Sequence, residues 1–207
     1  SYVERKRMYE LPRSSWADYN PDLISKGGAV FDRKAKSIEL TPEIKKLLSI
    51  NESRLAPHEL ARAILRCKAD LLWVGGIGTY VKAGDETNAE VGDRANDALR
   101  VNGAQLNCRV VGEGGNLGFT QRGRIEFASN GGCINTDAVD NSGGVDCSDR
   151  EVNIKILLNA VVADGELTTK QRDRLLKDMT DDVAELVLTD NYRQGEAITL
   201  LERAAPA

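Results

Sequence analysis

Histidine is nearly absent from this 207-residue chain. The single one, His58, follows Pro57 at a helix start and reads as a surface or capping residue. Neither a histidine-ligated metal site nor a Ser-His-Asp triad has much to build on. Cysteine is scarce too: Cys67, Cys108, Cys133 and Cys147 include no C-x-x-C pair, which excludes the common zinc spacing and a disulfide scaffold. They read as reduced thiols, mostly packed as small apolar groups, in a cytoplasmic protein without a metal. No apolar run approaches the roughly 18 residues that span a bilayer, and no signal-peptide pattern opens the chain. An excess of one charge is missing as well. With 28 basic against 32 acidic side chains, the formal net charge of −4 gives no reason to expect nucleic acid or an anionic membrane as partner. Both phosphate-loop fingerprints, G-x-x-x-x-G-K-[ST] and G-x-G-x-x-G, are also missing. Gly112-x-Gly114 has Leu117 where the last glycine belongs, and Gly76-x-Gly78 has Val81 there. If the domain binds a dinucleotide, the loop that holds the pyrophosphate is not among these residues.

What the chain does have is glycine. Of 19, 15 fall between positions 75 and 144, where a uniform spread would place about six, so this window needs tight turns or close backbone approach. The 41% hydrophobic content is enough for a folded core. Residues 1 to 52 are mixed and do not make a complete domain; a helix is expected over 41–48, capped by Thr41 with Pro42 at its first position. Residues 57 to 148 repeat helix, strand and glycine-rich turn three times. A helical face of Leu60, Ala61, Ile64 and Leu65 precedes a strand at 70–74. Val91, Ala95, Ala98 and Leu99 suggest a second helix before a strand at 108–111. A third helix over 121–129 leads to a strand at 133–136. This is the signature of β-α-β units and a parallel sheet, whose ligands bind beyond the carboxyl ends of the strands. From Glu151 onward glycine nearly vanishes. A helix around Val152, Ile156 and Leu157 is apolar on much of its circumference and reads as buried. A second, over 169–189, carries the stripe Leu175, Leu176, Met179, Val183, Leu186 and Val187, and a shorter helix closes the chain.

Spacing alone leaves the glycines open to several readings. They serve as tight turns only, or, since Val110-Val111-Gly112-Glu113-Gly114-Gly115 follows a strand, as an adenosylmethionine-type loop. The clusters carry more than glycine. The segments Gly75-Gly76-Ile77-Gly78-Thr79-Tyr80-Val81-Lys82, Val91-Gly92-Asp93-Arg94-Ala95-Asn96-Asp97, Gly112-Glu113-Gly114-Gly115-Asn116-Leu117-Gly118 and residues 135–148, Asn135 to Ser148, closely resemble the long-chain bacterial NAD-specific glutamate dehydrogenases, as does Arg13 to Tyr19. The match runs in order along most of residues 10 to 160. One departure is Val74, where that family usually has asparagine.

More distantly, Glu113 to Asn116 and Asn141 to Ser148 are similar to segments of the shorter glutamate dehydrogenases. The resemblance implies that Gly114, Gly115, Asn116, Asn141, Gly143 and Gly144 form the cofactor-facing side of the cleft, with Asn116 and Asn141 near the ribose and carboxamide of NAD. It implies that Val145 and Ser148 contact L-glutamate or 2-oxoglutarate, the serine bonding the distal carboxylate with support from free amides at the following helix start. The family's lysine and aspartate that carry the chemistry lie on an earlier domain, so no catalytic residue is expected here. The expected fold is therefore α/β: a partial Rossmann-like, doubly wound and mainly parallel domain over 1–148, its first strands upstream, with a helical extension over 149–207. By itself the chain is expected to be inactive, to need the rest of its polypeptide, and to belong to a homo-oligomer. The alternative is a non-catalytic Rossmann-like regulatory or subunit-contact module.

Overall fold

The computed structural model describes residues 1–204, and the last three positions of the expected helical extension lie outside the described residues. Helix α1 (Tyr2–Glu10) opens the chain and is followed by two 3₁₀ turns. Glu4 is buried against those turns, accepting from Arg7 Nε and from the Asn20 amide, both at 2.8 Å. The Arg7 guanidinium and the Asn20 N–H hold its carboxyl down at about 2. A depressed carboxylate stabilises the fold above its unfolded value, roughly 4.3, and loses that contribution as pH falls through the folded value. Docking of α1 on the turns is therefore expected to persist at about pH 5 and to be lost between about pH 4 and 2. Hydrogen exchange at the Asn20 amide measures this, and undiminished protection at the acid end would show that Glu4 does not hold the segment.

Strand β1 (Ile38–Glu39), helix α2 (Pro42–Leu48), strand β2 (Arg54–Leu55) and helix α3 (Pro57–Leu65) enclose a small core of Ile38, Leu40 and Leu60. β1 and β2 pair antiparallel, Ile38 opposite Leu55. The start of α2 is as expected: Thr41 Oγ1 accepts from the Ile44 amide at 3.2 Å, and Pro42 takes the first helical position. His58, on the first turn of α3, is exposed.

The main body contains β3 (Ala69–Val74), β4 (Val81–Lys82), α4 (Asn88–Val91), β5 (Val101–Asn102), β6 (Cys108–Glu113), α5 (Gln121–Ser129), β7 (Cys133–Ile134) and α6 (Asp137–Asp140). β3, β6 and β7 form a parallel sheet in that spatial order, with Leu71 opposite Val110 and Val110 opposite Cys133. The α/β, partial Rossmann-like fold is thus as the sequence implies. Alternation along the strands sends Val74 and Val111 into a core with Val81, Val101, Phe119 and Phe127, while Leu71, Trp73 and Val110 point the other way and are exposed.

The connection from β3 to β6 departs from expectation. Val91, Ala95, Ala98 and Leu99 do not form one helical face, because α4 stops after four residues at Gly92, whose φ of 75° makes a left-handed cap. β4 and β5 pair in parallel instead, Val81 opposite Val101. These short pieces converge on Arg100, whose side chain is wholly buried. Its Nε donates to the Thr79 carbonyl and its Nη1 to Asn88 Oδ1, both at 2.8 Å, and the guanidinium also reaches Asp97 and the Asp93 carbonyl. Asp93 accepts from Asn96 Nδ2 at 2.7 Å and from the Thr79 amide at 2.8 Å, and these bonds with nearby Arg100 hold its carboxyl below the usual range.

The tail is three helices, α7 (Asp146–Ala163), α8 (Thr169–Asp178) and α9 (Thr180–Ala204), and corrects two expectations. Val152, Ile156 and Leu157 on α7 are 53%, 62% and 65% exposed; α8 and α9 cover only one side of α7, where Leu158 is buried. The stripe from Leu175 to Val187 is not one helix: it breaks at Met179, and α9 follows at once as the longest helix rather than a short closing one. Thr180 Oγ1 donates to the Lys177 carbonyl at 2.8 Å, and Asp181 and Asp182 occupy the new first turn, where the helix dipole favours acids. No described helix is long and apolar enough to cross a membrane. All four cysteines are free; Cys108 is buried, which pushes its thiol pKa up, and Cys133 is exposed.

Candidate functional site

Because β3, β6 and β7 are parallel, their carboxyl ends lie along one edge of the sheet. The turn after β3 carries Gly75 and Gly76, and the turn after β6 carries Gly114 to Gly118. The stretch after β7 runs through Asn135 and α6 to Asn141, so the third glycine pair, Gly143 and Gly144, follows α6 rather than the strand itself. The first two turns touch: a Cβ on Gly115 would lie 2.7 Å from the Gly76 carbonyl oxygen. The Trp73 ring covers Gly112 and Gly114, where a Cβ would come within 2.6 and 2.4 Å of it. Close approach at Gly114 and Gly115 is thus already used by the protein, whereas Gly76 and Gly143 have open space where a side chain would project.

Beneath these turns lies a charged network that the motifs did not reveal. Glu113, fully buried at the end of β6, accepts from Arg124 Nε at 2.6 Å and Nη2 at 3.0 Å, and from the Phe119 amide at 3.2 Å. Arg124 also pairs with Asp137 at 3.1 Å. Burial alone would pull the Arg124 guanidinium down, but Glu113, Asp137 and Asp140 together hold it above the usual arginine value. Asp140 accepts from the Glu113 amide at 3.0 Å and from Asn135 Nδ2 at 3.3 Å. The network had a signal in the sequence. Period-two alternation puts Glu113 on the same inner face as Val111, and Arg124 precedes Phe127 by three on α5, so one acid and one base both fall on core-facing positions.

Above the network, Asn141 Nδ2 donates to Asn116 Oδ1, joining the two asparagines expected at the site. Asn141 is half-buried and Asn116 exposed. Gly144 packs under the Asn141 side chain, 2.5 Å from a Cβ position, and the Gly144 and Val145 amides both donate to the Asn141 carbonyl at 2.9 Å. Val145 is half-buried and Ser148 exposed, on the first turn of α7. The amides of Asp146 and Cys147 already donate to the Ser142 carbonyl at 2.9 and 3.1 Å, and Asp146 and Asp149 occupy the first turn. Support for an anion from those two amides is therefore not available as expected, which leaves the Ser148 hydroxyl as the polar group on offer.

A cleft of about 720 Å³ lies between α3, the end of β3 and the 95–99 turn. Trp73, Gly75 and Gly76 line it, whereas Asn116, Asn141 and Ser148 do not. Among the described residues no group of three or more His, Cys, Asp or Glu side chains could hold a metal ion.

Comparison with known proteins gives a consistent picture. Residues 1–201 match the family described as bacterial NAD-glutamate dehydrogenase, catalytic domain. The chain is 63% identical over 202 residues to the NAD-specific glutamate dehydrogenase of Halomonas elongata, covering 98% of this chain and 12% of that protein. It is 60% identical over 205 residues to that of Pseudomonas aeruginosa, covering 99% of this chain and 13% of the relative. For Mycobacterium tuberculosis the figures are 55% over 202 residues, 95% and 12%. The chain thus spans only about an eighth of the length of the curated relatives it matches.

Proposed function

Because the chain belongs to the bacterial NAD-glutamate dehydrogenase family, we propose that it supplies the nicotinamide and substrate side of the cleft in a longer enzyme. That enzyme oxidatively deaminates L-glutamate to 2-oxoglutarate and ammonia. NAD, when bound, supplies the hydride acceptor. This chain's residues bind and orient. The carrying observation is the Asn116–Asn141 hydrogen bond, which brings together two residues 25 positions apart beyond the ends of neighbouring parallel strands, the place where ligands bind in open α/β sheets.

The residues present fit the nicotinamide end of the cofactor. Two amide side chains offer both donors and acceptors to a ribose hydroxyl or a carboxamide, and Gly143 leaves open space beside them. The phosphate fingerprint is missing, so the pyrophosphate falls to residues elsewhere in the polypeptide. Val145 and Ser148, three positions apart at the start of α7, share one face and take the substrate side, the serine hydroxyl donating to the distal carboxylate of glutamate. The lysine and aspartate that act on the α-carbon belong to the rest of the same polypeptide.

Ser148→Ala in the full-length enzyme is expected to lower kcat/KM for glutamate ten- to a hundredfold, about 1.5–3 kcal/mol, because the lost bond is to a charged group. Steady-state kinetics with glutamate varied at saturating NAD measures it. An unchanged kcat/KM would remove Ser148 from the substrate site.

A further inference from the structure

Leu117 is the one residue of the Asn116–Gly118 turn that takes an unfavourable backbone conformation without being glycine. Its φ is 57°, in the left-handed region that side chains with a Cβ disfavour. Its side chain is 62% exposed, so packing does not hold it there. What does hold it is Asp137: Oδ2 accepts from the Leu117 amide at 2.8 Å, while Oδ1 pairs with Arg124 at 3.1 Å. The backbone carbonyl of the same Asp137 accepts from the Asn141 amide at 2.7 Å. One residue therefore grips both sides of the asparagine contact, Leu117 beside Asn116 and Asn141 itself. Its carboxylate fixes the turn that presents Asn116, and its carbonyl closes the turn that presents Asn141.

We propose that Asp137 is the positioning residue of this site, a brace that keeps the 116–118 turn left-handed at Leu117 and so holds Asn116 and Asn141 in register for the cofactor. The inference rests on the assignment of those two asparagines to NAD made above. Arg124 orients the brace from beneath, and Glu113 in turn fixes Arg124, so the buried pair under the sheet edge acts on the cofactor side through Asp137. Both carboxylate oxygens are engaged within the protein, by the Leu117 amide and by Arg124, so Asp137 acts through the turn. Its role is to offset the cost of a conformation that Leu117 would otherwise leave.

The test uses the full-length enzyme with NAD and glutamate varied separately. Asp137→Ala is expected to raise KM for NAD about tenfold or more while KM for glutamate changes less than about threefold. Asp137→Asn keeps an oxygen that can accept from Leu117 and loses the charge toward Arg124, so it should fall between the two. Adding Leu117→Gly to Asp137→Ala should return KM for NAD to within about threefold of the parent, since glycine adopts the left-handed conformation without a brace. Loss of folded enzyme alone would lower kcat and leave both KM values in place; that result, or failure of Leu117→Gly to rescue, would overturn the positioning role. Asn141→Ala separates the two levels of the argument. If it raises KM for NAD and Asp137→Ala does not, the brace is wrong; if it leaves KM for NAD unchanged, the assignment of the asparagines to NAD fails and takes the brace with it.

Discussion

Arg124→Met is expected to lower the unfolding free energy by about 3–5 kcal/mol, the usual result of removing one partner of a buried ion pair. The variant leaves the fully buried Glu113 carboxylate with the Phe119 amide as its remaining donor in the network, and an uncompensated buried charge is what makes such changes severe. Methionine fills much of the volume, so the loss is electrostatic rather than a cavity. Replacing both partners, Glu113→Leu with Arg124→Met, is expected to be less damaging than Arg124→Met alone, because an apolar pair carries no desolvation penalty. Urea unfolding followed by tryptophan emission gives both values. A loss below about 1 kcal/mol for Arg124→Met would mean that Glu113 finds water or another donor.

Arg100→Met should be of similar size, about 3–5 kcal/mol, for a different reason. The guanidinium is the single hub on which the 75–107 connection closes, and its removal leaves the Thr79 and Asp93 carbonyls, Asn88 and Asp97 short of donors. Arg100→Lys keeps the charge but offers three donors from one atom where a planar fork presents five, so it should recover less than about half of the loss. In a chain of this length the methionine variant is expected to lower the thermal midpoint by about 6–20 °C. Full recovery by lysine would show that the charge, and not the fork, holds the connection.

Much of this architecture is legible in the sequence where one local rule decides. Thr41-Pro42 marks the start of α2, and the runs ending at Val74 and Val111 mark β3 and β6, because capping and short apolar runs between turns need no distant partner. Val91 to Leu99 misleads because helical spacing of apolar residues is a weak argument against a left-handed Gly92 and an arginine that recruits the loop around itself. Val152 to Leu157 misleads for a different reason: apolar spacing does not say which side of a helix its neighbours cover, and α8 and α9 pack on the side that carries Leu158. At the site, the motif residues Asn116 and Asn141 do meet, whereas Gly114 and Gly115 serve Trp73 and Gly76. Periodicity marks Glu113 and Arg124 as core-facing, but Asp137 stays hidden because its importance arises from a contact between α5 and α6 that no short pattern encodes.

The β3–β6 connection also has a kinetic consequence. Parallel partners cannot zip from a hairpin, so Leu71 meets Val110 only after the intervening chain closes. Within that chain α4 is four residues long, far below the length at which a helix persists unaided, and so no preformed strut shortens the search. The tail helices differ in that each is long enough to gain hydrogen bonds within itself, although α7 meets α9 through partners as distant as Arg150 and Asp190. Pairing of β3 with β6, and with it the edge that carries Asn116 and Asn141, is therefore expected to wait on closure of the loop that Arg100 gathers.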